Sequence, residues 1–247
     1  MKAVILAAGY GSRLGKETKK KPKGLLDING TSIIERQVSL FKKNGISDII
    51  IITGPFEDFG IDGIKYVKDE LYDEHDVLGS LMTAKMELTG EIITSYSDII
   101  FEENILVDII KSKEMISIPI EMDWEKAYEG RTEHPKSEAD NVLLKNNEII
   151  EIKKGIFQKD KNEKIGEFLG PIKFSAEGIK IFVSTYEKLE KNHSGIFHNA
   201  PSLKKAYLTD LLQELIDSKI RIKPIFIDGK WCEIDTQQDL ENARKLF

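Results

Sequence analysis

The chain holds 247 residues, with 40% hydrophobic and 32% charged side chains and a net charge of −6. It is long enough to bury a core as one large domain, or one domain with a small lobe, and its acidic balance excludes a molecule built as a whole to bind nucleic acid. Cys232 is the only cysteine, so no disulfide framework forms within the chain, and no apolar run reaches the roughly 18 residues that span a bilayer.

Residues 3–8, AVILAA, form a continuous apolar run, the pattern of a strand buried on both faces. The run is too short for a signal peptide, which predicts a cytoplasmic protein without a membrane partner. Ser32 and Glu35 have capping-box spacing at the head of a helix, and Gly45 stands where a C′ glycine ends it. Residues 48–53 read as a second buried strand stopped by Gly54-Pro55, and residues 64–67 as a short one. A helix follows over 78–88, a strand over 92–96 ending at Ser97-Asp98, a helix over 104–111 and a strand over 115–122. This alternation predicts an open α/β sheet with right-handed crossovers. From Asp123 the pattern changes. Residues 142–144 and 149–152 flank Asn146-Asn147 as a hairpin, and 155–166 is polar and Lys-rich, as a mobile loop is. A strand over 168–174, helices over 176–190 and 202–218, a strand over 221–227 and a helix over 236–246 complete the chain.

Ligands in open α/β sheets bind beyond the carboxyl ends of the strands. Two features lie there: Asp98, and a loop over residues 6–26, LAAGYGSRLGKETKKKPKGLL, with one Arg, five Lys and a single acid, Glu17. In an acidic chain, a local basic loop implies a local anion. It is not a P-loop, which needs G-x-x-x-x-G-K-[ST]: Gly15-Lys16 is present, but position 10 is Tyr10 and position 17 is Glu17. Nor is it a dinucleotide fingerprint, since Gly9-Tyr10-Gly11-Ser12-Arg13 is followed by Leu14. What remains is physical. Gly9 and Gly11 let backbone N–H groups approach an anion, Arg13 can fork onto phosphate oxygens, and Lys23, fixed by Pro22, is a point charge. Lys19, Lys20 and Lys21 read as a solvated charge run.

Residues 6–26 resemble the signature of the nucleotidyltransferases that activate sugar phosphates and small alcohol phosphates: L-A-A-G-x-G-S-R-L, a gap of about ten residues containing P-K, then L-L. Sugar-phosphate members usually carry Pro-Leu-Thr after Arg-Leu-x, where this chain has Lys16-Glu17-Thr18. That is closer to the phosphocholine and 2-aminoethylphosphonate cytidylyltransferases. The resemblance implies one Rossmann-like, GT-A-like α/β domain with a central, mostly parallel mixed sheet flanked by helices, and a small acceptor-binding β insertion. Residues 1–122 are then the nucleotide-binding half, and 123–247 the acceptor-binding insertion and closing elements. It implies Mg²⁺ on two carboxylates, Asp98 after its strand and Asp235 in the W-x-(D/E)-(I/V)-D-T element Trp231-Cys232-Glu233-Ile234-Asp235-Thr236. An aspartate before a helix is also a common N-cap, a role open to Asp235 or Thr236; Asp239 reads as a first-turn helix acid and Glu233 is ambiguous.

The same resemblance implies catalytic roles for Arg13, Lys23 and Asp98, and nucleotide contacts at Leu6, Ala7, Ala8, Gly9, Gly11, Ser12, Arg13, Lys23, Gly79, Ser80 and Ser97. Gly79 and Ser80 are equally a plain helix start. The segment 123–142, with two aromatics, several acids, Arg131 and His134, resembles that of nucleotidyltransferases associated with phosphonate biosynthesis, as do 166–170 and 208–216. Asp123, Trp124, Tyr128, Arg131 and His134 are its candidate acceptor-binding residues, for a molecule carrying an anion and a cation; core packing is the competing reading of the aromatics. The expected reaction transfers CMP from CTP to a small phosphate or phosphonate, in a monomer or homodimer. The alternatives are a sugar-1-phosphate nucleotidyltransferase using UTP, dTTP or GTP, and a non-catalytic nucleotide-binding regulator.

Overall fold

The computed structural model describes residues 1–247 apart from Lys16, Lys19, Lys20 and the side chain of Ser12. Strand β1 (Lys2–Ala7) is buried from Ala3 onward, as its unbroken apolar run requires. A two-residue pair, β2 (Asp27–Ile28) and β3 (Thr31–Ser32), turns at Asn29-Gly30, both with positive φ. Helix α1 (Ile33–Lys43) begins with the expected capping box, Ser32 with Glu35, and Gly45 follows its end at φ +79°. There follow β4 (Asp48–Thr53), β5 (Lys65–Lys68), α2 (Val77–Thr83), β6 (Ile92–Tyr96), β7 (Ile99–Phe101), α3 (Glu103–Lys111) and β8 (Ile116–Glu121). The second half adds β9 (Asp140–Lys145), β10 (Glu148–Lys154), β11 (Glu163–Phe168), β12 (Ile172–Phe174), α4 (Ala176–Asn192), α5 (Leu208–Asp217), β13 (Lys223–Phe226), β14 (Trp231–Glu233) and α6 (Gln237–Leu246).

Strand β1 lies between β4 and β6, parallel to both, with Ile5 opposite Ile51 and Ser95. Strand β5 continues the parallel block beyond β4, while β12 joins β6 to β8 and runs antiparallel to each. Strand β13 lies parallel beside β8. Strand β11 pairs with the end of β8 and with β9 of the β9–β10 hairpin, carrying the sheet outward as a lobe. In strand direction, β1, β4, β5, β6, β8, β9 and β13 run one way and β10, β11 and β12 the other.

Period-2 alternation sends β1 side chains to two different cores. Val4 and Leu6 join Leu81 of α2, Phe182 of α4 and Leu211 of α5. Ala3 and Ile5 face Val38 and Phe41 of α1 and Leu106 of α3. A third cluster, Leu14, Leu26, Ile33, Ile100, Ile234 and Leu240, fastens α6 and the β7–β14 ribbon against the glycine loop. Each buried Ile or Leu there contributes about 1.5–3 kcal/mol, so the C-terminal segment is held where the first strand ends. No helix among the described residues is long and apolar enough to cross a membrane.

Four local expectations differ from the structure. The 78–88 helix starts at Val77 and ends at Thr83, with a 3-10 turn at Lys85–Glu87. The polar 155–166 stretch already contains the start of β11 at Glu163. The expected strand over 168–174 is two, because Gly170 adopts φ +106° against the Tyr96 ring. The 202–218 helix is a 3-10 turn at Leu203–Lys205 and then α5, since the carbonyls of Lys204 and Ala206 accept from the N–H groups of Asp76 and Leu78. That exchange pulls the chain out of helix and ties it to the start of α2. The β2–β3 pair and the β7–β14 ribbon carry no pattern visible along the sequence, being two or three residues long.

Two loop glycines differ sharply in surroundings. A Cβ at Gly54 would run into the Ala8 carbonyl, whereas one at Gly9 meets nothing within 4 Å. Gly54→Ala should lower stability by about 1–3 kcal/mol through backbone overpacking, a melting shift of roughly 2–12 °C for a chain of this size. Gly9→Ala should melt within about a degree of the parent. Thermal unfolding of the two variants side by side checks the contrast.

Candidate active site

The chain leaves β1 at Ala7 and folds back on itself. Gly11 takes φ +64°, which favours glycine, and its carbonyl accepts from Thr18 Oγ1 at 2.7 Å and Leu14 N at 3.1 Å. Pro22 opens a 3-10 turn, Lys23–Leu25, in which a Cβ at Gly24 would come 3.3–3.4 Å from Phe59, Ile34 and Ser97. This turn buries Lys23 to 9% exposure and points its ammonium at two carboxylates. Nζ donates to Asp98 Oδ2 at 2.8 Å and to Asp235 Oδ1. Burial works against the charge, but Asp98 and Asp235 hold the lysine well above its usual range.

Each carboxylate is itself held by backbone. Gln37 Nε2 donates to the carbonyls of Tyr96 and Ile99, both at 2.7 Å, which fixes the turn carrying Asp98; Ile234 N donates to the Asp98 carbonyl at 2.9 Å. At the head of α6, Thr236 is the N-cap, in a capping box with Asp239. Asp235 is thereby left out of the cap, and its carboxylate faces Lys23, Arg13 NH2 at 3.0 Å and His134 Nδ1 at 3.3 Å. Burial opposes ionisation, yet these neighbours hold the Asp235 carboxyl well below the usual carboxylate range. Glu233 is shifted the other way, by burial and by the charges of Asp235 and Asp98.

The carboxylates fit a divalent cation. Asp98 Oδ1 is buried and has no hydrogen-bond partner among the described residues, and an ammonium already sits between the two aspartates. Oxygen donors of this kind suit a hard ion. His134, Glu233 and Asp235 also bring ligand atoms within 4.8 Å of one another, so the acidic corner offers more donors than the two expected.

These groups line a cleft of about 340 Å³. Of the expected residues, Leu6, Ala8, Gly9, Gly11, Arg13 and Lys23 form its basic wall; Ser80, Ser97, Asp98, His134 and Asp235 also border it. Ala7 points into the core and Gly79 lies behind, packed on His75. Ser12 is in the loop, with its side chain outside the described residues, as are Lys16, Lys19 and Lys20 of the basic run. Most of the 123–131 segment is elsewhere. Asp123 is exposed and pairs with Lys126, while Trp124 and Tyr128 pack with Ala139 in a small core. Arg131 donates from Nε to Asp239 Oδ1 at 2.6 Å, lies 3.7 Å from Glu233, and approaches His134 Nδ1 at 3.1 Å. Only His134 of that group reaches the cleft.

In their place the lobe supplies Glu138, Asp140, Lys154 and Tyr207, and the start of α2 supplies Tyr72, His75 and Asp76. Burial raises Asp140 to about 6, and its Oδ1 has no partner among the described residues. Lys154 Nζ stands 4.6 Å over the Tyr207 ring and 3.3 Å from Glu138. None of these was signalled by a motif. Asp140 and Lys154 are the first and last residues of a hairpin, paired across its open end, and Tyr207 sits at a break in what reads as helix.

Residues 3–114 match the model of the MobA-like NTP transferase domain. The CTP:phosphoglutamine cytidylyltransferase of Campylobacter jejuni is 30% identical over 98% of this chain and 98% of its own. The choline-phosphate cytidylyltransferase of Streptococcus pneumoniae is 35% identical over 45% of this chain and 51% of its own. Among solved structures, the inositol-1-phosphate CTP transferase from T. maritima superposes with a TM-score of 0.75 at 19% identity, covering 99% of this chain and 94% of that one.

The Arg131–Asp239 pair is structural, with side chains 9% and 4% exposed. Arg131→Ala should strand a buried carboxylate and cost roughly 3–5 kcal/mol. The pairing depresses Asp239, opposed by burial. A depressed carboxyl stabilises the fold fully above its ordinary value of 3.8, and that stability drains as pH falls through the lower folded value. The stability gap between parent and variant should therefore be wide at pH 7 and narrow in urea melts near pH 3.

Proposed function

Since this chain belongs to the nucleotidyltransferase family built on the MobA-like NTP transferase domain, we propose that it transfers CMP from CTP, with Mg²⁺, to a small phosphate or phosphonate acceptor. The observation that carries this reading is the buried Lys23 held between Asp98 and Asp235 beside Arg13 and the glycine loop. These are cations that can pass from protein carboxylates to phosphate oxygens, and carboxylates that can pass from an ammonium to a metal ion. Asp98 and Asp235 are the proposed ligands, with Glu233 beside them. The ion supplies charge neutralisation at the α-phosphate and at the leaving pyrophosphate.

An oxygen of the acceptor phosphate attacks the α-phosphorus, and the bond from the α-phosphorus to the bridging oxygen breaks, releasing pyrophosphate. The acceptor is ionised near neutrality, so no general base is required. The work of the protein is positioning and electrostatics. Backbone N–H groups of the loop over 8–11, with Arg13 and Lys23, orient the triphosphate. The acceptor enters from the lobe, where the Asp140 oxygen without a partner among the described residues and the Tyr207 face suit a cationic group and Lys154 a second anion. Two relatives whose names specify phosphoglutamine and choline phosphate support an acceptor of this size.

Pyrophosphate release, measured for four triphosphates against a panel of phosphorylated amines, amino acids and sugars, tests the reading. CTP with a small aminated acceptor should lead the panel; a hexose 1-phosphate with UTP or dTTP ahead by tenfold would overturn it. Lys23→Ala should cost roughly two to three orders of magnitude in kcat and, by stripping Asp98 and Asp235 of their counter-charge, lower the melting temperature while circular dichroism still reports folded secondary structure. Asp140→Asn should raise the acceptor KM several-fold while leaving the KM for CTP within about twofold.

A further inference from the structure

The three walls of the cleft differ in charge. The glycine loop is basic, through Arg13 and Lys23, and the lobe carries Glu138, Asp140 and Lys154. The wall formed by residues 72–80 presents Tyr72, His75, Val77 and Ser80, with Asp76 spent in part on capping α2. The loop reaches over this wall, since Tyr10 donates from its hydroxyl to Asp73 at 3.0 Å and meets the Tyr72 ring edge-on at 5.5 Å. Phosphates belong on the basic wall and a charged acceptor on the lobe. The mostly uncharged wall, aromatic and hydrogen-bonding, suits the one flat neutral part of a nucleotide, its base.

Within that wall His75 is held in an unusual way. Asp69, 1% exposed, lies 2.9 and 3.0 Å from His75 Nδ1 through its two oxygens. The same carboxylate accepts from Ser80 Oγ at 2.8 Å and from Leu71 N at 3.0 Å. His75 packs against Gly79, where a Cβ would come 2.8 Å from His75 Cγ. A carboxylate only accepts, so Nδ1 carries a proton, and in the neutral form of the ring this leaves Nε2 as an acceptor. Nε2 has no hydrogen-bond partner among the described residues.

We propose that His75 reads the base: Nε2, left as an acceptor by the Asp69 clamp, takes a hydrogen bond from the exocyclic 4-amino group of cytosine and so selects CTP over UTP. Uracil presents a carbonyl oxygen at that position, which would face the Nε2 lone pair. Accommodating it would require moving the ring proton and breaking the bond to Asp69. A site that hydrogen-bonds one ligand rejects the analogue that leaves its polar groups unpaired. Asp69 is a positioning residue in this scheme, and Gly79 is required because the ring occupies the space of its side chain. The inference rests on the proposed use of CTP.

Calorimetric binding of CTP and of UTP to the full chain, in chelator and without acceptor, tests it apart from turnover. The parent should bind CTP at least about tenfold tighter than UTP. His75→Leu should weaken CTP by about tenfold and bring the two nucleotides level, and His75→Gln, which keeps an acceptor, should restore part of the preference. In Asp69→Asn an amide N–H can donate to Nδ1, putting the ring proton on Nε2, and UTP should then gain relative to CTP. If the parent binds UTP as tightly as CTP, the donor assignment itself fails. If the parent prefers CTP and both His75→Leu and Asp69→Asn keep that preference with unchanged melting, the donor assignment stands and the role of His75 is refuted.

Discussion

A lysine ammonium between two aspartates organises this molecule. Burying Lys23, Asp98 or Asp235 alone would be costly, since a charge removed from water needs an opposite charge and hydrogen bonds in return. Together they offset one another's charge, and Arg13 and His134 complete the set around Asp235. The three residues come from the glycine loop, the turn after β6 and the head of α6. The constraint therefore reaches across the fold, and it explains why Gln37, Ile234 and the capping box at Thr236 are spent on holding backbone next to the carboxylates. An arrangement balanced in this way is also ready to change partners, which is what a polyanion and a metal ion would demand of it.

The cleft is divided by chemistry. Cations line the side where β1 ends, acids cluster near β14, and the lobe brings acids, a lysine and a tyrosine face. Lys154 stands over Tyr207 at the head of α5 and is paired across the hairpin with Asp140, whose Oδ1 has no partner among the described residues. The acidic and aromatic stretch around 123–131 instead supports that lobe from behind: Trp124 and Tyr128 fill a small core, and Arg131 locks the lobe to α6 through Asp239. Tyr128 also donates to Glu167, whose carboxyl burial raises to about 8. The charges of this stretch look like ligand contacts along the chain and serve as braces in the folded molecule.

Much of the architecture is written locally. The apolar run of β1, the alternating strands and helices to residue 122, the capping box of α1 and the N-cap of α6 follow from period, caps and turns, which depend on neighbours within a few residues. The resemblance at residues 6–26 and 231–240 belongs to the same class, being carried by short contiguous motifs. Where expectation and structure part, a distant contact decides. The helix over 202–218 breaks because its carbonyls serve the start of α2, and the strand over 168–174 divides where Gly170 passes the Tyr96 ring.

The sequence by itself determined the fold class and the family, because glycine spacing, Arg13, Lys23 and the acids before each turn are properties of short segments. Only the tertiary structure decided which side chains face the cleft. His75 has no motif, yet Asp69, Ser80 and Gly79 converge on it; Arg131 has every mark of a ligand residue, yet its guanidinium is spent on Asp239. A side chain is committed by whichever opposite charge or donor lies nearest in space, and that proximity is set by packing between elements far apart in the chain.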